Sequence, residues 1–592
     1  MSWGRLTIET ALWPFSNEMI KDLAKFKPLK EFIMNASKIS LFVFALLISL
    51  QGVCATFTSN GAGGGDFAVG GSWVGGTAPG SNDDVIITGG DIITVSANDQ
   101  CRSVTINGNG SGLVINNSVT LTLSNILKFV ATAASETQSL TNNGAITGIT
   151  NLEARDQNFA NFSVNITGNG SLTASRRVLW LAQASGFTST ISNDIYIPSA
   201  DIRFLCYNTG DLAVTLQDSM SCRRFELYAF GNTNDIQLDG TSSTFRLRTQ
   251  WLKEFREGGE ADFGSVGSKV YLINNYYTTG ANIVFNDLHI QTNMSLSASS
   301  IFNVNGDLII ESGRQLSTNG NNMELTGNLQ VDGTFSMTAG DILRMNSTAA
   351  SAQTISGSGT IGITNLTMDC SNAAGGVTVN TPISITENLV CTDGTLTTNG
   401  NITMESNANG TANIGEIGGG ASISGEITVE KWFNGMNDVA DWVYFHVPGI
   451  PENLSVINEG GTNPSGFYTF GYPNSNSPST IIYSSSYRYD ETSSGTGSTD
   501  AERFESGWVA ATNASSDQFD PSAAWVFLLG GSTGVGAKDT YHISTSIQPF
   551  PAGAVLTGSF SGGNTWQGWN LFGNPYASAV SIDATGILTN VQ

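Results

Sequence analysis

Between residues 281 and 430 the chain alternates apolar and polar positions in short runs, and each run is closed by Asn, Gly or Asp. Leu288, Leu308, Leu329, Leu366 and Leu389 each sit in such a run, several of them 20 to 23 residues apart. A period of two is the signature of a strand with one face buried, and Asn-Gly and Asp-Gly are tight-turn dipeptides. A spacing of this size corresponds to one coil of a parallel β-helix, in which the inward side chains of successive coils stack into one core. The pattern therefore predicts an all-β protein built on a right-handed parallel β-helix-like solenoid. About 15 coils at the ~4.8 Å strand spacing would extend on the order of 70 Å.

The chain also repeats itself. The stretch 286–324, from NDLHI to NNME, is restated at 365–405, from NLTM to NITME, and QSLTNNGAITGITNL at 138–152 returns as QTISGSGTIGITNL at 353–366. These echoes divide the chain into a first β-repeat array over 100–280 and a second over 281–429. A Gly-rich segment, 56–99, precedes them as an N-terminal β cap. At Val429 the character changes: Trp432, Trp442, Trp508, Trp525, Trp566 and Trp569 all follow it. Residues 430–592 are accordingly expected to be a separate β-sandwich-like domain, with most of these Trp residues in its core.

Composition supports this reading. Sixty-eight Gly and only 12% charged residues among 592 describe a turn-rich β protein. The formal net charge of −24 argues against nucleic acid as a partner. Residues 38–55, KISLFVFALLISLQGVCA, place a Lys before an apolar run too short to span a bilayer and then small residues. That is a secretory signal peptide over 34–55, with cleavage between Ala55 and Thr56. Residues 1–33 are expected to be an upstream extension preceding the true start at Met34. No transmembrane span is expected, and the mature chain is placed outside the cell or on its outer surface.

Candidate chemistry is sparse. Cys54 leaves with the signal, so Cys101, Cys206, Cys222, Cys370 and Cys391 remain, an odd number. Cys370 and Cys391 are 21 residues apart, about one coil, and could stack into a disulfide; two buried small apolar side chains is the competing reading. Asp83 and Asp84 could hold calcium, but neighbouring strand residues point to opposite faces, which favours a turn-and-cap role. His289, His446 and His542 are isolated, and neither a metal-binding spacing nor a nucleophile motif occurs. No cofactor is expected. The Arg-containing stretch 176–256 is less regular, and its cations, among them Arg177, Arg203, Arg223 and Arg224, are matched by acidic residues nearby. Pairing between neighbouring coils is favoured there over a face for an anionic polysaccharide.

Two regions carry a family resemblance. Trp73, Pro79, Asp83 and Asp84, ahead of strand repeats, resemble the opening of secreted surface proteins of the Bacteroidota. Three C-terminal runs, VEKWFNGMNDVADWVYFHVP at 429–448, SGWVAATNASSDQFDPSAAWVFLLGG at 506–531 and GWNLFGNPYASAVSID at 568–583, are similar to the module that precedes the type IX secretion sorting domain. The resemblance implies export through the type IX secretion machinery and a place on the outer surface. A sorting domain is the expected continuation beyond Gln592.

The function this implies is that of an adhesin-like structural stalk, not an enzyme, with surface glycans or other cell-surface polymers as partners. The alternative is a carbohydrate-binding or polysaccharide-degrading β-helix, a lyase or a hydrolase. Peptide mapping of the exported protein is expected to begin at Thr56; any peptide drawn from residues 1–54 would contradict the assigned processing site.

Overall fold

A computed structural model describes residues 54–433, apart from short internal segments, and beyond 433 only parts of the chain. Its main body is a parallel β-solenoid of about 14 turns. The strands fall into three columns, so that each coil contributes one short strand to each column before the chain returns beside its starting point. The expected all-β class and coiled stacking are both present. Among the described residues of the solenoid, 54–433, the one helical turn is the 3-10 turn Gly70–Ser72.

The core follows from the alternation. In one column Val85, Val104, Leu127, Leu152, Val178, Ile202 and Phe225 lie in register on successive coils, every one of them fully buried. Two positions further along the same strands, Ile106, Phe129, Ala154, Trp180, Phe204 and Leu227 form a parallel stack. One small side chain, Ala154, lies there between the large rings of Phe129 and Trp180, which keeps the interior filled without overpacking. The rings of Trp180 and Phe204 are 5.4 Å apart, and the Trp180 indole N–H donates to the buried Ser189 hydroxyl at 3.1 Å.

Strands Ala145–Arg155, Ser171–Ala182 and Asp194–Tyr207 are long because each turns a corner and serves two columns. Their registers slip at the corner, between Leu172 and Arg177 and between Ile197 and Asp201. The stretch 176–256, which looks irregular in sequence, therefore includes the longest continuous ladders of the solenoid. The hydrogen bonding also runs through the divisions drawn from sequence. Strand Thr56–Thr58 pairs with Asp84–Ile87, and Gly259–Phe263 pairs with Ile283–Phe285, so the cap and both arrays belong to one ladder.

Corners carry a ladder of short polar side chains. The Asp287 carboxylate accepts the Asp307 N–H at 3.1 Å, Asp307 accepts the Asn328 N–H at 2.9 Å, and the Asn328 side-chain oxygen accepts the Thr354 N–H at 2.8 Å. The residue before each Asx is constrained by the rung beneath it: a Cβ on Gly327 would stand 2.1 Å from the Gly306 carbonyl oxygen. Leu288, Leu308 and Leu329 follow this ladder in one column. Leu366 and Leu389 stack in a different column, above Leu343.

After the last coil, strand Ile427–Phe433 pairs antiparallel with Tyr541–Ile547. Beyond it, Asp441–Phe445, Trp525–Leu529, Ser486–Tyr489 and Trp508–Ala510 form a four-stranded antiparallel sheet. Trp525 is buried, and Trp508 meets Tyr489 edge-on at 5.2 Å. Trp442 lies in the strand Asp441–Phe445; Trp566 and Trp569, His446 and residues 469–485 lie outside the described residues, as do residues 1–53.

Truncating Phe204 to Ala opens space between Trp180 and Phe225, which are held by the rungs on either side and cannot collapse inward. The cost is expected to be about 3–5 kcal/mol, read from the shift in the denaturant midpoint of a single cooperative transition.

Candidate functional site

On most of the solenoid the outward positions are small and polar. Ser163, Asn165 and Thr167, then Thr188 and Thr190, illustrate this on one column of adjacent coils. The column formed by the second halves of the long strands departs from it. Its outward positions include Leu179 and Leu181 on one coil, Leu205 and Tyr207 on the next, and Tyr228 and Phe230 on the third. Tyr207 is 36% exposed, and its ring stacks on Phe230 at 4.4 Å with the planes 7° apart. Tyr228 in turn stacks beside Phe230 at 5.8 Å.

Beside this strip lie three carboxylates and five guanidinium groups. Glu153 receives the Arg155 Nε–H at 2.9 Å and the Arg177 Nη2–H at 2.7 Å. Asp201 receives Arg223 through Nε at 3.0 Å and Nη2 at 2.8 Å, and Arg203 at 3.1 Å. Arg203 Nε also lies 2.7 Å from Glu226, with Arg224 at 3.9 Å from the same carboxylate. Half of these pairings cross from one coil to the next: Arg177 to Glu153, Arg223 to Asp201, and Arg203 to its register neighbour Glu226. The carboxylates are covered, at 4%, 5% and 2% exposure, whereas the arginine side chains keep roughly a quarter to two-fifths of their surface in solvent. Burial alone would raise the Glu153 carboxyl, but Arg177 and Arg155 outweigh it and hold it below its ordinary value. The pairing between coils read from the sequence is thus present, with its negative partners buried.

A second feature is a cleft of about 600 Å³, bounded by the hairpin Ser406–Asn407 with Gly410–Thr411 and lined by Thr364, Glu387, Asn388, Asn409 and Asn413. The Glu387 carboxylate accepts the Gly340 N–H at 3.0 Å and the Asn365 side-chain amide at 2.8 Å. Asn388 donates to the Asn365 side-chain oxygen at 2.7 Å. One carboxylate among neutral amides can hold hydroxyl groups, but it supplies only one half of an acid–base pair.

The other residues singled out from sequence have structural partners. Asp83 accepts the Ala55 N–H at 3.0 Å and the Gly80 N–H at 2.8 Å, while Asp84 accepts Arg102 Nε–H at 2.8 Å and the Ser103 hydroxyl. Their side chains serve different neighbours, the turn-and-cap arrangement. Ala55 and Thr56 belong to the first rung, where Thr56 lies beside Asp84. His289 faces outward from its strand, stacks on Tyr271 at 4.5 Å, and is pushed toward neutrality by burial and by Lys269. His542 lies in a strand opposite Trp432. Among the described residues no group of three or more His, Cys, Asp or Glu side chains is arranged to hold a metal ion, and no helix is long and apolar enough to cross a membrane.

The disulfide between Cys370 and Cys391 is not formed. The register sets Cys391 beside Met368, and Cys370 lies past it against Gln353, whose side-chain oxygen is 3.5 Å from its sulfur. Both are buried free thiols, the competing reading; burial pushes Cys391 up to about 12 and raises Cys370 as well.

Sequence reasoning missed the aromatic strip and the cleft. The strip had a signal, since RRVLWLA at 176–182, IRFLCY at 202–207 and CRRFELYAF at 222–230 each carry Arg within their first three residues and end apolar or aromatic at outward as well as inward positions. Comparison with known protein families, characterised proteins and solved structures finds no match to this chain.

The paired carboxylates make a pH dependence. Arg102 holds Asp84 at about 2 against an ordinary 3.8, so its contribution to stability is complete above the unfolded-state value and is lost as the pH falls through the folded one. The difference in urea midpoint between the wild type and Asp84→Asn is expected to shrink to nothing between about pH 3.8 and about pH 2. A gap that stayed constant over that range would contradict the assignment.

Proposed function

We propose that this chain is an exported surface protein of the type IX secretion class, whose solenoid acts as a non-catalytic, adhesin-like stalk presenting its outer face to surface glycans. The observation that carries the reading is the rung-on-rung ladder, which makes one long, rigid object with repeating outer columns. Repetition favours adhesion physically, because many weak equivalent contacts along a rigid support give avidity without one preorganised site. The signal-like run at 38–55 and the three C-terminal runs support export and a terminal β-sandwich. The carboxylates that the coils bring together at Glu153, Asp201 and Glu226 are each buried under guanidinium groups, so on this face the groups offered to a glycan are cations.

A glycan-cleaving reading placed at the cleft would use Glu387, the one acidic side chain among its lining residues. The discriminating experiment incubates the mature chain with a panel of polysaccharides and measures both retention on the insoluble material and release of reducing or unsaturated ends. Retention without release is expected. Release that disappears in Glu387→Gln would replace the stalk by an enzyme.

A further inference from the structure

We propose that the outer face carrying Tyr207, Leu205 and the arginines 155, 177, 203 and 223 binds a linear polyuronate, a polysaccharide with a carboxylate on each sugar. The inference rests on the stalk reading above and names the ligand class of that stalk.

Three observations meet on this face. Arginine side chains stand proud of a chain whose net charge is −24, so the positive charge is local and set against an acidic background. Five guanidinium groups face three carboxylates, and the carboxylates lie beneath them, out of reach of an approaching anion. Each guanidinium has five N–H donors in a planar fork, and the buried carboxylates engage only some of them: Arg177 gives Glu153 its Nη2, and Arg223 gives Asp201 its Nε and Nη2. The remaining edges can bind a carboxylate in the bidentate geometry that Arg favours. Because Glu153 and Asp201 already fix these side chains, little rotamer entropy is lost when a ligand binds, which favours affinity.

The apolar strip supplies the other half of a sugar site. Tyr207 stacked on Phe230, with Leu205 and Leu181 on the adjoining rungs, offers flat apolar surface for the C–H faces of pyranose rings. The columns repeat every ~4.8 Å along the solenoid, close to the length that one sugar adds to an extended 1,4-linked chain. Successive sugars along the axis thus meet successive coils, with Leu181, Leu205 and Tyr228 following one another in register. An acidic polymer is favoured over a neutral one because a carboxylate offers a guanidinium edge an opposite charge and two oxygens in bidentate geometry, which a hydroxyl group cannot.

The experiment titrates the mature chain with polygalacturonate oligomers, using neutral cello-oligomers as the comparison and polyuridylate as the competing polyanion. Tyr207→Ala and Arg223→Gln are both exposed changes, and Asp201 keeps Arg203 in the second. Each is expected to weaken polygalacturonate binding by about tenfold or more, measured well below the thermal midpoint of each variant so that it is folded, and wild-type affinity should fall as salt rises. Polygalacturonate binding that is absent in the wild type, or untouched by both substitutions, would overturn the proposal. So would tighter binding of polyuridylate, or a dimer in light scattering that Tyr207→Ala dissolves. If the wild type is still retained on insoluble glycans while ignoring the polyuronate, this site fails and the stalk reading survives.

Discussion

Everything in this molecule depends on one constraint: each coil must lie on the coil before it, strand on strand, at the ~4.8 Å spacing of a hydrogen-bonded ladder. The stacks from Val85 to Phe225 and from Ile106 to Leu227 are its consequence, because a side chain that points inward on one rung has its register neighbours above and below fixed in advance. Length differences between coils must therefore be absorbed at corners, since inside a strand one extra residue would reverse every following side chain. Val270 and Leu288 pair across 18 positions while Leu152 and Val178 pair across 26, and the ladder runs through both.

The same constraint decides which residues may stand at the corners. Backbone passes over backbone there, so Gly327 sits above Gly306 with no room for a Cβ, and Asp287, Asp307 and Asn328 reach up to the next rung's N–H groups. The two ends of such a stack lack a neighbour on one side. At the first coils Trp73 packs edge-on against Phe67, and its indole N–H is taken by the Phe67 carbonyl at 2.9 Å. At the last, Tyr541–Ile547 pairs antiparallel with Ile427–Phe433 and occupies the edge that a further coil would otherwise use.

Stacking also concentrates charge. A carboxylate placed outward on a flat column meets the residues of adjacent coils at close range: Asp201 stands in register between Arg177 and Arg224, Glu226 beside Arg203, and Glu153 takes Arg177 from the next coil. The sheet geometry turns a scattering of paired signs into a layered arrangement, anions below and cations above. That layering separates this face from the Thr- and Asn-rich columns beside it, and it makes the face the strongest candidate for recognition in the described part of the chain.

The sequence by itself determined the class of object. Alternation, Asn-Gly punctuation and spacings near 20 residues are local properties, and a parallel solenoid writes its local geometry into every coil. What the sequence could not assign was the column. Gln138 and Gln353 begin matching stretches and do the same work, each buried and bracing the loop beside it through its side-chain amide, yet they stand in different columns of the solenoid. The three sides of a coil present near-equivalent corners, so one motif can fit any of them, and only the summed length of the preceding coils decides which. For the same reason Cys370 and Cys391 miss each other despite a one-coil spacing, and which acidic residues meet Arg177, Arg203 and Arg223 on one face was settled only by the stacking. Periodicity is a local quantity and could be read; register is cumulative, and only the folded stack could set it.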